Sequence, residues 1–67
     1  MITLSINGQQ RQFPAPLSIA DLIVELDLAG KRIAVEKNGE IIPRSQHGDA
    51  RVMDGDQLEI VVAVGGG

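Results

Sequence analysis

Asp54-Gly55-Asp56-Gln57-Leu58-Glu59-Ile60-Val61-Val62-Ala63-Val64-Gly65-Gly66-Gly67 is the stretch from which the fold is read. Asp-Gly-Asp predicts a tight turn, because Asp side chains bond nearby backbone and Gly accepts positive φ. From Gln57 to Val64 the chain is strand-forming and apolar on both faces. Leu58, Ile60, Val62 and Val64 fall on one face, Val61 and Ala63 on the other. A strand apolar on both sides predicts a central position in a sheet. It runs directly into three glycines.

Upstream of that turn, residues 44–53 are irregular, with Gly48 as punctuation. Ile33 to Lys37 alternates, with Ile33 and Val35 inward. Asn38-Gly39 predicts a type I′ hairpin turn into a short strand, Glu40-Ile41-Ile42, stopped by Pro43. The N-terminal segment repeats the pattern. Ile2, Leu4 and Ile6 point inward on one strand, Asn7-Gly8 turns, and Gln9 to Phe13 returns as a polar edge strand ended by Pro14 and Pro16.

Between the two hairpins lies the one helix signal. Ser18 caps the first turn, with Asp21 three residues on as in a capping box, and Leu17 and Leu22 are spaced for a hydrophobic staple. Ile19, Leu22, Ile23 and Leu26 follow the spacing of one buried helical face. Gly30 is read as the left-handed residue that closes the helix, with Lys31 and Arg32 complementing its dipole. Hairpin, helix, hairpin, turn and long strand leave one helix to cover one sheet face. No segment offers the second helix of a split βαβ fold. The expected architecture is α+β, a β-grasp with a mixed four- or five-stranded sheet and one helix across it. Residues 1–64 form the domain, and 65–67 are expected to be a flexible glycine tail.

Composition limits what such a domain does. A chain of 67 residues buries only about 60% of its unfolded surface, which leaves little room for an enclosed active site. Hydrophobic residues are 43% and charged residues 22%, the balance of a globular protein rather than a disordered one. Nine acidic residues against six basic ones give a net charge of −3. With the basic residues scattered, one Phe and no Tyr or Trp, neither phosphate binding nor base stacking is supported, so nucleic acid is not expected as a partner. No apolar run is long enough for a membrane span and no signal segment is evident. The absence of cysteine removes disulfides, thiolate metal sites and thiol nucleophiles, and fits a cytoplasmic location.

Side-chain catalysis finds no constellation. His47 is the sole histidine and reads as a solvated loop residue. No three or four metal ligands converge, so no metal is expected. Asp54-Gly55-Asp56 lacks the frame of a calcium loop. The terminal glycines form no phosphate loop, since neither Lys nor helix follows them. What is left is the terminus. Glycine has no Cβ, so the tail fits a channel too narrow for side chains. The α-carboxylate of Gly67 would then be a reactive group at the end of a flexible arm. Attack on ATP would activate it as an acyl-adenylate, in a site that would have to belong to another protein, whereas in an arbitrary protein such glycines are a frayed tail.

Over nearly its whole length the chain resembles the ThiS family of small ubiquitin-like sulfur carriers. The segments that carry the resemblance are Ile33-Ala34-Val35-Glu36-Lys37-Asn38-Gly39-Glu40-Ile41-Ile42-Pro43-Arg44-Ser45 and the stretch from Asp54 to Gly67. One departure is His47, near where a Trp is expected, which bears on a local packing contact. The resemblance implies a protein co-substrate rather than an enzyme. A ThiF-like adenylating enzyme uses ATP and magnesium on Gly67, a persulfide supplied through a cysteine desulfurase displaces AMP, and a thiazole synthase takes sulfur from the resulting thiocarboxylate. Gly65 and Gly66 deliver that carboxylate, and Val61 and Ala63 are expected to form the docking patch for both enzymes. The small subunit of molybdopterin synthase, also a β-grasp sulfur carrier, and a non-catalytic β-grasp interaction module stay open as alternatives.

Overall fold

The structure, a computed structural model, describes residues 1–63. Its elements are β1 (Ile2–Ile6), β2 (Gln9–Phe13), β3 (Leu17–Ser18), α1 (Ile19–Glu25), β4 (Ile33–Lys37), β5 (Glu40–Ile42), a 3-10 turn (Arg44–Gln46), β6 (Arg51–Val52) and β7 (Gln57–Val62). Five strands form one mixed sheet in the order β2-β1-β7-β4-β5, with β1 parallel and β4 antiparallel to β7. With α1 packed across one face, this is the β-grasp arrangement, and β7 is its central strand as expected. Val64, placed on that strand from sequence, lies outside the described residues.

Both Asn-Gly pairs turn as their chemistry demands. Asn7 and Gly8 sit at φ +53° and +82°, Asn38 and Gly39 at +52° and +85°, the positive-φ pair that a type I′ turn requires. Alternation then sorts the sheet residues. Ile2, Leu4, Ile6, Val35, Leu58 and Ile60 meet Ile19 and Leu22 of α1 in a single core, which Val52 completes.

The helix begins where its cap predicts. Ser18 Oγ accepts from the Asp21 N–H at 3.0 Å. The Ile19 and Ala20 N–H groups donate to the carbonyls of Ala50 and His47, so the first free donors of α1 are satisfied by a loop some thirty residues downstream. Ser18→Ala should cost about 1 kcal/mol, read as a lower urea midpoint, whereas Ser18→Gly costs only a few tenths. Equal midpoints for Ser18→Ala and the native chain would show that the cap contributes nothing.

Four expectations are corrected. Leu17 and Ser18 do not simply lead into the helix; they form β3, which pairs with β6, so part of the segment read as irregular is strand. The helix closes at Asp27, not Gly30. Asp27 adopts φ +60°, its N–H bonds the Val24 carbonyl, and the Leu28 N–H reaches back to Ile23 at 2.9 Å, the Schellman pattern. Asp tolerates the left-handed region because its short polar side chain bonds locally. Gly30, at φ +85°, serves a second turn closed by Lys31 N–H to the Leu28 carbonyl, so Lys31 and Arg32 lie beyond the last helical turn. His47 is buried rather than solvated, at 8% exposure. Its Nε2 lies 3.1 Å from the Ile42 carbonyl oxygen, which can only accept, so the ring donates there and ties the 3-10 turn to β5.

Candidate functional site

The face of the sheet away from α1 carries no covering element among the described residues. Register and alternation place Gln57, Glu59 and Val61 of β7 there, opposite Ala34 and Glu36 of β4. Ile41 of β5 joins them across from Glu36. Val61 is 62% exposed and Ile41 72%. Ala63, just past β7, is also exposed. Val61 is thus where the sequence put it, near the end of β7 and on open surface, whereas Ala63, read from sequence as part of the strand, lies one residue beyond its end at Val62. Val62, which the sequence places on the face of Leu58 and Ile60, is also exposed, because it lies at the margin of the sheet beyond the core.

Sequence reading missed Ala34 as the cross-strand neighbour of Val61, and Ile41 as part of the same face. The signal was present. With Val35 inward, Ala34 must face outward, and of two adjacent isoleucines, Ile41 and Ile42, one has to leave the core. It also missed the charge. Glu36 and Glu59 stand directly across from each other, a like-charge pairing that costs a sheet rather than stabilises it. The outer face therefore presents two carboxylates beside three apolar side chains, a chemistry suited to a protein partner with apolar and basic groups.

Among the described residues, no catalytic constellation of side chains is brought together. His47 is committed to a backbone carbonyl. No group of three His, Cys, Asp or Glu among the described residues is placed to hold a metal. The carboxylates of the Asp54–Asp56 turn are occupied by the fold: Asp54 Oδ1 accepts from the Thr3 N–H at 2.7 Å, and Asp56 accepts from the Met53 N–H and the Asn38 side chain. No helix among the described residues is long and apolar enough to cross a membrane. Gly65, Gly66 and Gly67, singled out from sequence as the reactive arm, lie outside the described residues.

Comparison with known proteins converges on one group. The family model described as the ThiS family matches residues 4–67. The sulfur carrier protein ThiS of Bacillus subtilis is 35% identical over 65 residues, covering 96% of this chain and 98% of that one. A thiazole synthase of Paramagnetospirillum magneticum is 45% identical over 64 residues. That match takes in 96% of this chain but only 20% of the relative, so the chain spans about a fifth of that protein's length. A crystal structure of a thiamine biosynthesis protein (ThiS) from Geobacter metallireducens superposes with a TM-score of 0.85 at 30% identity, covering 98% of this chain and all of the other.

Proposed function

This chain belongs to the ThiS family of sulfur carriers, and from that premise we propose that its Gly67 carboxylate carries sulfur for the thiazole ring of thiamine. The observation that carries the reading is the family match itself, which spans residues 4–67. Activation follows from the chemistry of a carboxylate, which is a poor electrophile until one oxygen becomes a leaving group. A Gly67 oxygen attacks the α-phosphorus of ATP in the site of a ThiF-like enzyme, where magnesium offsets the phosphate charge, and pyrophosphate departs. The terminal sulfur of a persulfide, formed by a cysteine desulfurase or its equivalent, then attacks the acyl carbon and AMP leaves. A second thiol, on one of the partner proteins or from a small-molecule reductant, attacks the donor's sulfur; a disulfide forms between those two sulfurs as the acyl-bound sulfur leaves as the thiocarboxylate. This chain has no cysteine, so sulfur held covalently on it has the terminal carbonyl as its place. A thiazole synthase is the acceptor in this scheme, and the relatives with that name that contain a similar segment support the assignment.

Incubation with ATP, magnesium, a cognate adenylating enzyme and a persulfide source tests it. AMP release and a mass gain of one oxygen-to-sulfur exchange are expected. Neither occurs if the domain is an inert interaction module.

The outer sheet face is the docking surface in this reading, centred on Val61 and Ala63. Val61→Asp places a carboxylate beside Glu59 and Glu36. Burying it unpaired in a complex costs about 2 kcal/mol or more, so affinity for both enzymes should fall about thirtyfold or more. The free domain should lose no more than about 1 kcal/mol, since the position is open surface. Unchanged affinity in a titration with either enzyme removes Val61 from that interface.

A further inference from the structure

Strand β7 is held unequally on its two sides. Along β4 the pairing runs to the end, with Ile33 opposite Val62 and the Ala63 N–H donating to the Arg32 carbonyl at 2.8 Å. Along β1 it stops early. Ser5 pairs with Gln57 and Ile6 with Leu58, the Asn7 N–H bonds the Leu58 carbonyl at 2.9 Å, and then the Asn7-Gly8 turn carries the chain away into β2. The next rung, at Ile60, has no main-chain partner on that side. The Asn7 side chain takes its place. Its Oδ1 accepts from the Ile60 N–H at 2.8 Å, and its Nδ2 donates to the Ile60 carbonyl at 3.0 Å.

A carboxamide has the one donor edge and one acceptor edge of a peptide group, so Asn7 completes the ladder as a side-chain rung. Turn chemistry alone does not ask for this, because glycine satisfies the positive φ of a type I′ turn as well as asparagine does. Asp would keep the turn but bring a second acceptor against the Ile60 carbonyl. The second Asn-Gly turn supplies a comparison within the same chain. Asn38 also bonds β7, but at its start, where its Oδ1 accepts from the Gln57 N–H at 2.9 Å.

We propose that Asn7 is a positioning residue of the carrier, clamping the last turn-side rung of β7 at Ile60 and so fixing, together with β4 on the other side, the place at which the end of β7 hands the chain on toward Gly67. The proposal rests on the carrier reading above. Four Cα-to-Cα steps lead from Ala63 to Gly67, a reach of at most about 14 Å. An error of about 1 Å at the reacting carboxylate costs about a hundredfold in rate. An adenylating enzyme that grips the outer sheet face therefore needs the end of β7 at a set place relative to that face.

Three variants test it: Asn7→Gly, Asn7→Asp and Asn38→Gly, each confirmed folded at the assay temperature. In AMP release with the adenylating enzyme, Asn7→Gly should lower kcat by about tenfold or more, with KM for the carrier nearly unchanged, since the docking face is intact. Asn7→Asp should fail similarly, because it cannot donate to Ile60. Asn38→Gly, which loses a clamp at the far end of β7, should keep native kcat. In the free protein, amide exchange at Ile60 to Ala63 should quicken by about tenfold in Asn7→Gly and not in Asn38→Gly. Native kcat in Asn7→Gly, or unchanged exchange at those amides, overturns the positioning role while leaving the carrier reading intact. A native chain that releases no AMP overturns the carrier reading, and the positioning role falls with it.

Discussion

A chain extended by one alanine beyond Gly67 should fold as the native protein does, keep its affinity for the adenylating enzyme, and release no AMP above about a hundredth of the native rate. One added residue displaces the carboxylate by up to about 3.6 Å, several times the misplacement that in-line attack on the α-phosphorus tolerates. In the proposed scheme the added Cβ would also have to enter a channel shaped for glycine. Gly67→Ala separates the two effects. Its carboxylate stays at the native length and only the methyl is new, so it should be slowed but not silenced. Deleting Gly66 and Gly67 should abolish activation while leaving the melting temperature nearly unchanged, because glycine has no side chain to bury and a large backbone entropy to lose on ordering. Rapid thiocarboxylation of the extended chain, without prior trimming, would remove Gly67 from the chemistry.

Leu22→Ala should bring the domain close to unfolding. Leu22 is fully buried on the only α-helix among the described residues, and it is one of two α1 side chains wholly within the core. Truncating a buried leucine to alanine costs about 2–5 kcal/mol, the range reflecting how far the neighbours collapse into the space. A domain of this size has a total stability of only about 3–10 kcal/mol. The thermal midpoint followed by circular dichroism should fall by about 10 °C or more. Val24→Ala, on the exposed side of the same helix, should move stability by no more than about 0.5 kcal/mol. Similar midpoints for the two variants would mean that α1 is not seated on the sheet as described.

The parts of this fold legible in sequence are those that local chemistry determines. Alternation placed Ile2, Leu4 and Ile6 inward, the two Asn-Gly pairs turned as type I′ hairpins require, Ser18 capped α1, and the doubly apolar run at the end became the central strand. What escaped depends on contacts far apart in the chain. β3 and β6 are two residues each and exist because Leu17 meets Val52, a pairing no local pattern announces. His47 looked solvated because histidine in a polar loop usually is, yet the Ile42 carbonyl and the α1 N-terminus draw it in. Asp27 took the left-handed position one would assign to Gly30, since burying Leu26 and Leu28 against the core sets where the helix must stop. Asn7 is the sharpest case. Its fitness for the turn was a sufficient explanation in sequence, and the bond to Ile60, 53 residues away, was invisible behind it.

The candidate site divides in the same way. Val61 and Ala63 were legible from the period of β7. Ala34, Glu36, Glu59 and Ile41 become part of the same surface only once β4 and β5 are placed beside it. The glycines stand out by composition alone, and the role proposed for them rests on the family match rather than on any fold geometry.

The mass of the intact protein taken from cells making thiamine tests the central claim most directly. The carrier reading predicts a chain ending at Gly67, present in part as a species heavier by one oxygen-to-sulfur exchange, with that increment located by fragmentation on the last residue. A chain that carries only the carboxylate under conditions of thiazole demand, or sulfur found elsewhere than on Gly67, would contradict it.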